Sequence, residues 1–166
     1  MTSASNDPRW LTAEQRVAWL HMVRVLTRLP ATLDAQLERD AGLSFFEYHV
    51  LSMLSETSDH TLRLSRLAQL TSSSLSRLSN VVKRLEAQGL LRREPDPDDR
   101  RASRAVLTGL GLAAVEQAAP GHVTTVRDLV VDALDDAQLD HLRVAHERIL
   151  ERLDPSSATR PDWFDN

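Results

Sequence analysis

Ser73, Arg77, Asn80 and Arg84 are spaced four, three and four residues apart, which on a helix lines up a hydroxyl, an amide and two guanidinium forks. Such a set can bond base edges and phosphate oxygens. Ser76 and Lys83 flank the line, and Leu75, Leu78, Val82 and Leu85, spaced three, four and three, form a roughly opposite stripe expected to be buried. The run Thr71-Ser72-Ser73-Ser74 makes a turn and supplies the next helix with an N-cap, bringing unpaired helix amides toward a phosphate. The candidate groove-facing residues are therefore Ser72, Ser73, Ser74, Ser76, Arg77, Asn80, Lys83 and Arg84. They lie on or just before a helix expected from about Ser73 to Gln88 and ended by Gly89.

Beyond Gly89 the pattern turns extended. Residues 90–94 and 103–107 are short candidate strands, joined by Pro95-Asp96-Pro97-Asp98-Asp99-Arg100-Arg101, whose prolines and aspartates favour a turn. An arginine at such a tip can enter a narrow minor groove, where negative potential concentrates. A neighbouring Asp can fix its guanidinium through paired hydrogen bonds. Asp99, Arg100 and Arg101 are the candidates there; the plainer alternative is that Asp99 and Arg101 brace the turn, and one residue can do both.

Charge supports a phosphate-facing surface. Residues 63–104 hold ten Arg or Lys against five acids, a balance of +5, and because the whole chain is −4 the remainder carries −9. A basic patch on an otherwise acidic protein fixes which face meets DNA, since the rest repels it. A merely solvated charged face would leave the accompanying helix and hairpin signals unexplained. The 166 residues suit one domain with a sizeable core, and 42% hydrophobic content is globular. With no cysteine, disulfides, thiolate metal sites and cysteine-based peroxide sensing are excluded. The longest uncharged run, Ala105 to Val115, is far short of a membrane span, and MTSASNDPRW lacks the parts of a signal peptide. The expectation is a soluble cytoplasmic protein with no membrane association.

The elements that must position these residues are mostly helical. Thr12-x-x-Gln15 is a capping box before Val17, Leu20, Val23 and Leu26, and Pro30 should kink or break that helix before a second stretch through Leu33 and Leu37 reaches Gly42. Ser44-x-x-Glu47 opens a helix turning Phe46, Val50, Leu51 and Leu54 inward. Residues 57–60 read as loop, and Ser65 as the N-cap of a short helix holding Leu67, Ala68 and Leu70. Thr108 caps a helix through Leu112, Val115, Ala119, Val126, Leu129 and Val130 that Pro120-Gly121 should bend or interrupt; Asp135 begins a last one with Leu139, Leu142, Ile149 and Leu153. These stripes are too apolar for lone extensions, so a second copy of the chain is the simplest cover, with packing on their own lobe the alternative. Two-fold symmetry would set the recognition helices about 34 Å apart on an inverted repeat.

Other chemistry is thin. His21, His49, His60, His122, His141 and His146 are scattered and read as surface or packing residues, and the acids of the final arm suit a helix start rather than acid/base work. No phosphate loop, nucleophile elbow or Ser/His/Asp order is present, so no enzyme, cofactor or metal is expected.

Leu67-Ala68, Ser74-Leu75-Ser76-Arg77-Leu78, Arg84-Leu85-Glu86-Ala87-Gln88-Gly89-Leu90, Asp96-Pro97-Asp98-Asp99-Arg100-Arg101 and Leu107-Thr108, in this order and spacing, resemble the MarR family of bacterial transcription factors. The specific part of the resemblance covers roughly residues 44–112. It implies a mainly α fold with a small β wing: a winged helix-turn-helix lobe at 44–107, helical dimerisation arms at 10–42 and 108–153, and a mobile tail at 154–166, all within one domain. It further implies a homodimer on double-stranded DNA, each lobe placing its second helix in the major groove and its wing in the minor groove. The family's Asp-x-Arg wing pattern falls on Asp99 and Arg101, making Arg101 the minor-groove residue and Asp99 its orienting partner. Many such proteins lose DNA affinity when a small aromatic or lipophilic acid enters a crevice between arms and lobe, with pocket residues expected from the arm and the helix after Gly42. The implied role is a sequence-specific regulator, most simply a repressor released by a ligand; a winged-helix module that contacts another protein is the alternative.

Overall fold

The computed structural model describes residues 7–99 and 101–153; Arg100 and the tail with Trp163-Phe164 lie outside the described residues. The elements follow in the order α1 (Ala13–Ala41), α2 (Phe45–Ser55), β1 (Thr61–Arg63), α3 (Leu64–Leu70), α4 (Leu75–Ala87), β2 (Leu91–Pro95), β3 (Ser103–Leu107), α5 (Gly109–Val126), a π-helical turn (Arg127–Val131) and α6 (Asp136–Leu153). The chain divides into two compact units between Thr32 and Leu33.

In the first unit, the capping box stands as expected: the Thr12 amide donates to Gln15 Oε1 at 3.0 Å and the Gln15 amide to Thr12 Oγ1 at 3.2 Å. Of the kink or break expected at Pro30, the break does not occur: α1 runs through it. One proline removes one amide from a helix of 29 residues, and the remaining rungs hold it together. Trp10, Leu11, Val17, Trp19, Leu20, Val25 and Leu26 are all exposed.

The second unit carries the winged helix-turn-helix. Gly42, at φ +65°, ends α1 in the αL motif that glycine allows, its amide donating to Glu38 O at 3.1 Å. Ser44 and Glu47 then form the reciprocal capping box that starts α2. Strand β1 has no counterpart in the sequence reading. Three residues are too few to show a period, and Thr61–Arg63 is extended because it pairs antiparallel with 104–106 of β3. The sheet order is β1-β3-β2, so the wing hairpin is stitched to the chain just ahead of α3. As a result α3 starts one residue before Ser65, with Arg63 rather than Ser65 at the N-cap.

The core is built from the end of α1 and one side of α2, α3, α4, β2 and β3: Leu37, Val50, Leu51, Leu54, Leu67, Leu78, Val82, Leu85, Leu91 and Ala105 are all fully or almost fully buried. Phe46 is only partly buried at its edge. Thr108 caps α5 and its hydroxyl reaches the carbonyls of Gly89 and Leu90, at 2.7 and 3.0 Å. At Gly111 a Cβ would collide with the Leu90 carbonyl, so α5 can lie this close to the α4–β2 corner only with glycine there.

Pro120 does not interrupt α5. The irregularity comes later, as the π turn of Arg127–Val131, where the Asp132 amide donates to Arg127 O. Asp135 caps α6 through a third reciprocal pair, with Gln138. Helix α6 buries none of its residues, and Ile149, Leu150 and Leu153 are exposed, so the final arm is not packed away on its own lobe. Among the described residues no helix is long and apolar enough to cross a membrane.

Candidate nucleic-acid interface

The second helix of the pair, α4, begins at Leu75 rather than Ser73. Ser72 and Ser73 therefore belong to the turn. Ser72 adopts φ +48°, a left-handed conformation, and the Ser73 hydroxyl lies 3.0 Å from that of Thr71, which itself donates to Leu67 O. Ser74 is the N-cap, its Oγ accepting the Arg77 amide at 3.2 Å, and Ser76 Oγ sits 3.2 Å from it.

Leu78, Val81, Val82 and Leu85 form the inner side of α4. At 3.6 residues per turn the residues half a turn away are Ser76, Asn80 and Lys83, and all three are exposed. The line through Ser73, Arg77, Asn80 and Arg84 is thus rotated toward α2. The contacts agree. The Arg77 guanidinium lies over the Phe46 ring, 4.2 Å from its centroid, and Arg84 reaches Glu47 Oε1 through Nε at 3.0 Å and Nη2 at 2.9 Å. Burial pushes the Glu47 carboxyl up, but the Ser44 amide and hydroxyl and the Arg84 charge outweigh it and hold the group below the usual carboxylate range. Arg84 consequently braces α4 against the cap of α2. Leu75, expected in the buried stripe, is 55% exposed, and Val81 takes its place inside.

At the wing, Asp99 and Arg101 are not joined as expected. Asp99 Oδ1 accepts the backbone amide of Arg101 at 2.9 Å, and no bond links it to the Arg101 guanidinium among the described residues. Asp99 thus closes the turn through the Arg101 amide. A short polar side chain two residues ahead in a turn reaches the following amide more readily than the end of a long flexible arginine. In the turn of the hairpin a guanidinium is held instead by Asp96, which sequence reasoning missed. Asp96, 3% exposed, accepts Arg63 Nε at 2.6 Å and Nη2 at 2.8 Å, together with the amides of Asp98 and Asp99. The bonds from Arg63, reinforced by those amides, hold the Asp96 carboxyl below its ordinary range. With the partners 33 positions apart, no local pattern could have revealed this clasp of the wing to the start of α3.

Ion pairing thins the basic patch to a few cations. Arg63, Arg84, Arg92, Arg93 and Arg104 pair with Asp96, Glu47, Glu94, Glu86 and Asp59 respectively. Among the described residues Arg66, Arg77, Lys83 and Arg101 have no carboxylate partner, and all four are exposed. They sit on α3, on α4 and at the hairpin, the succession a helix in a groove with a wing beside it requires.

Two histidines the sequence left scattered come together. His122 of α5 lies 4.7 Å from Tyr48 and 6.0 Å from Phe45, ring to ring, and His49 lies 6.2 Å from Phe45. Burial lowers the proton affinity of both, and His49 is lowered further by His122. The four residues share α2 and the middle of α5, a juxtaposition invisible across more than 70 residues of sequence. Among the described residues no three acidic or histidine side chains gather as a metal site.

A sequence profile of the MarR family matches residues 41–102. The fold superposes with a TM-score of 0.87 on Sco3205, a MarR family transcriptional regulator from Streptomyces coelicolor crystallised in complex with DNA. The two are 40% identical over 95% of this chain and 98% of that one. AbsC, a MarR family regulator from the same organism, is 38% identical over 88% of this chain and 98% of its own, with a TM-score of 0.84. The transcriptional regulator PecS of Dickeya dadantii is 26% identical over 80% of this chain and 81% of its own length.

Proposed function

The chain belongs to the MarR family of transcriptional regulators, and from that premise we propose that it is a dimeric, sequence-specific DNA-binding repressor of the cytoplasm, acting at an inverted-repeat operator. The observation that carries this reading is the set of cations without carboxylate partners among the described residues, Arg66, Arg77, Lys83 and Arg101, on the helix-turn-helix and wing. Charges already paired would gain little from phosphate; these four release counterions when they meet it. Ser74 and Ser76 present hydroxyls at the helix start, Asn80 an amide in its middle, and Arg101 a guanidinium for the minor groove. Arg84 and Asp99 act by holding α4 and the wing in place.

Residues 10–42 and 108–153 serve as dimerisation arms around the lobe at 44–107. The apolar residues left exposed on α1, and separately on α6, are the surface a second copy would cover. Release by a small aromatic or lipophilic ligand requires only that it bind the DNA-competent and incompetent geometries differently. The Phe45, Tyr48, His49 and His122 cluster, near which Gln36 keeps a buried Oε1 without a partner, offers the apolar and polar groups for such a ligand.

The test is selection of bound duplexes from a random-sequence pool, followed by affinity measurement at several salt concentrations. Arg101→Ala and Lys83→Ala should each weaken binding at least tenfold while the protein remains a dimer. Affinity unmoved by both, or insensitive to salt, would overturn the assignment.

A further inference from the structure

A large apolar side chain sits where the polar logic of the interface does not require one. Leu75 is the first residue of α4, is 55% exposed, and is bracketed by the exposed Ser74 and Ser76. The other large apolar residues of α4, Leu78, Val81, Val82 and Leu85, are buried, whereas Leu75 is left outside the core. Its neighbours in the turn are serines, unlike the runs of apolar residues exposed on α1 and α6, so it does not extend a surface meant for a second protein.

Its direction matters. On an α-helix each Cα–Cβ bond tilts toward the N-terminus, so a side chain at the first position leans past the end of the helix, toward whatever that end approaches. The end of α4 carries the Ser74 cap, with Arg77 just behind it. If α4 enters a major groove end-on, as the proposed function requires, Leu75 meets the groove floor, where the one apolar group a base pair offers is the C5-methyl of thymine. A leucine there gains nothing from phosphate or from the donors and acceptors of the other bases, and would strip water from them without compensation.

We propose that Leu75 is a specificity-determining residue that reads a thymine methyl in each half-site of the operator. The inference rests on the DNA-binding reading above, and its test separates the two. Duplexes enriched from a random-sequence pool are resynthesised with each thymine replaced singly by deoxyuridine, which removes the methyl and nothing else, and affinities are measured for the wild type, Leu75→Ser and Leu75→Met. One thymine per half-site should cost the wild type roughly fourfold when demethylated, the worth of one buried methyl-sized group. Leu75→Ser should bind the thymine and uracil duplexes alike, near the wild-type affinity for the uracil duplex, while Leu75→Met should keep the discrimination. An operator without thymine in its half-sites, no uracil effect at any position, or an equal uracil effect in wild type and Leu75→Ser would each overturn the role of Leu75 with DNA binding intact. Absence of any enriched duplex would overturn both readings.

Discussion

Replacing Phe46 by Leu should weaken DNA binding although Phe46 touches no DNA in the proposed arrangement. The Arg77 guanidinium rests 4.2 Å from the Phe46 centroid, so the ring holds the plane of an otherwise mobile side chain. A guanidinium stacked by its face keeps its N–H fork free at the edge, and the stack therefore orients Arg77 for phosphate or base without competing with them. A cation–π contact at a partly exposed site is worth about 0.5–1 kcal/mol. If that preorganisation is removed from both protomers of a dimer, the cost is about 1–2 kcal/mol, or roughly 5- to 30-fold in affinity at about 1.4 kcal/mol per decade. Leucine retains most of the apolar volume at a partly buried position, so the thermal midpoint should move little. The assay is fluorescence anisotropy of a labelled operator duplex in a double-mutant cycle with Arg77→Ala. Phe46→Leu should lose its effect once Arg77 is gone. An unchanged affinity, a tighter one, or an equal loss in the Arg77→Ala background would refute the reasoning.

Gly111→Ala should destabilise the fold by about 1–3 kcal/mol, the range for forcing an atom into a packed site, because its Cβ meets a backbone carbonyl that cannot rotate away; chemical denaturation measures it. Ser72→Gly should stabilise by about 1 kcal/mol by relieving the left-handed conformation of the turn, read as a raised thermal midpoint, with a fall counting against it. His49 and His122 have proton affinities lowered by burial, so the folded state favours their neutral forms. Stability is fully present above the ordinary histidine value of about 6.5 and is lost as pH falls through the lowered folded values. Denaturation midpoints compared between pH 8 and 5 should therefore drop more for the wild type than for His49→Phe, and parallel curves would contradict the burial argument. Lys83→Ala should make the dependence of log affinity on log salt shallower by about 0.9 for each phosphate that Lys83 neutralises, as salt titrations of the wild type and the variant on one duplex would show.

Local signals in the sequence were strong wherever the cause is local. The capping boxes at Thr12, Ser44 and the cap at Thr108, the helix ends at Gly42 and Gly89, the two wing strands and the inward Leu78, Val82 and Leu85 all depend on a few neighbouring residues, and all stand in the structure. So does the family itself, carried by a spaced motif from Leu67 to Thr108. What the sequence could not show are pairings across distance. Strand β1 exists because β3 lies beside it, Asp96 is buried because Arg63 arrives from 33 residues away, and His122 meets Tyr48 only once α5 packs on α2. Pairings of the same kind set what the candidate site residues touch. Periodicity gave Arg77 and Arg84 an outward direction, but only the packed chain shows that Arg84 is paired with Glu47 while Arg77 lies over the Phe46 ring. A sequence counts charges, whereas only the packed chain determines which of them are already neutralised, and Arg66, Arg77, Lys83 and Arg101 emerged from that subtraction.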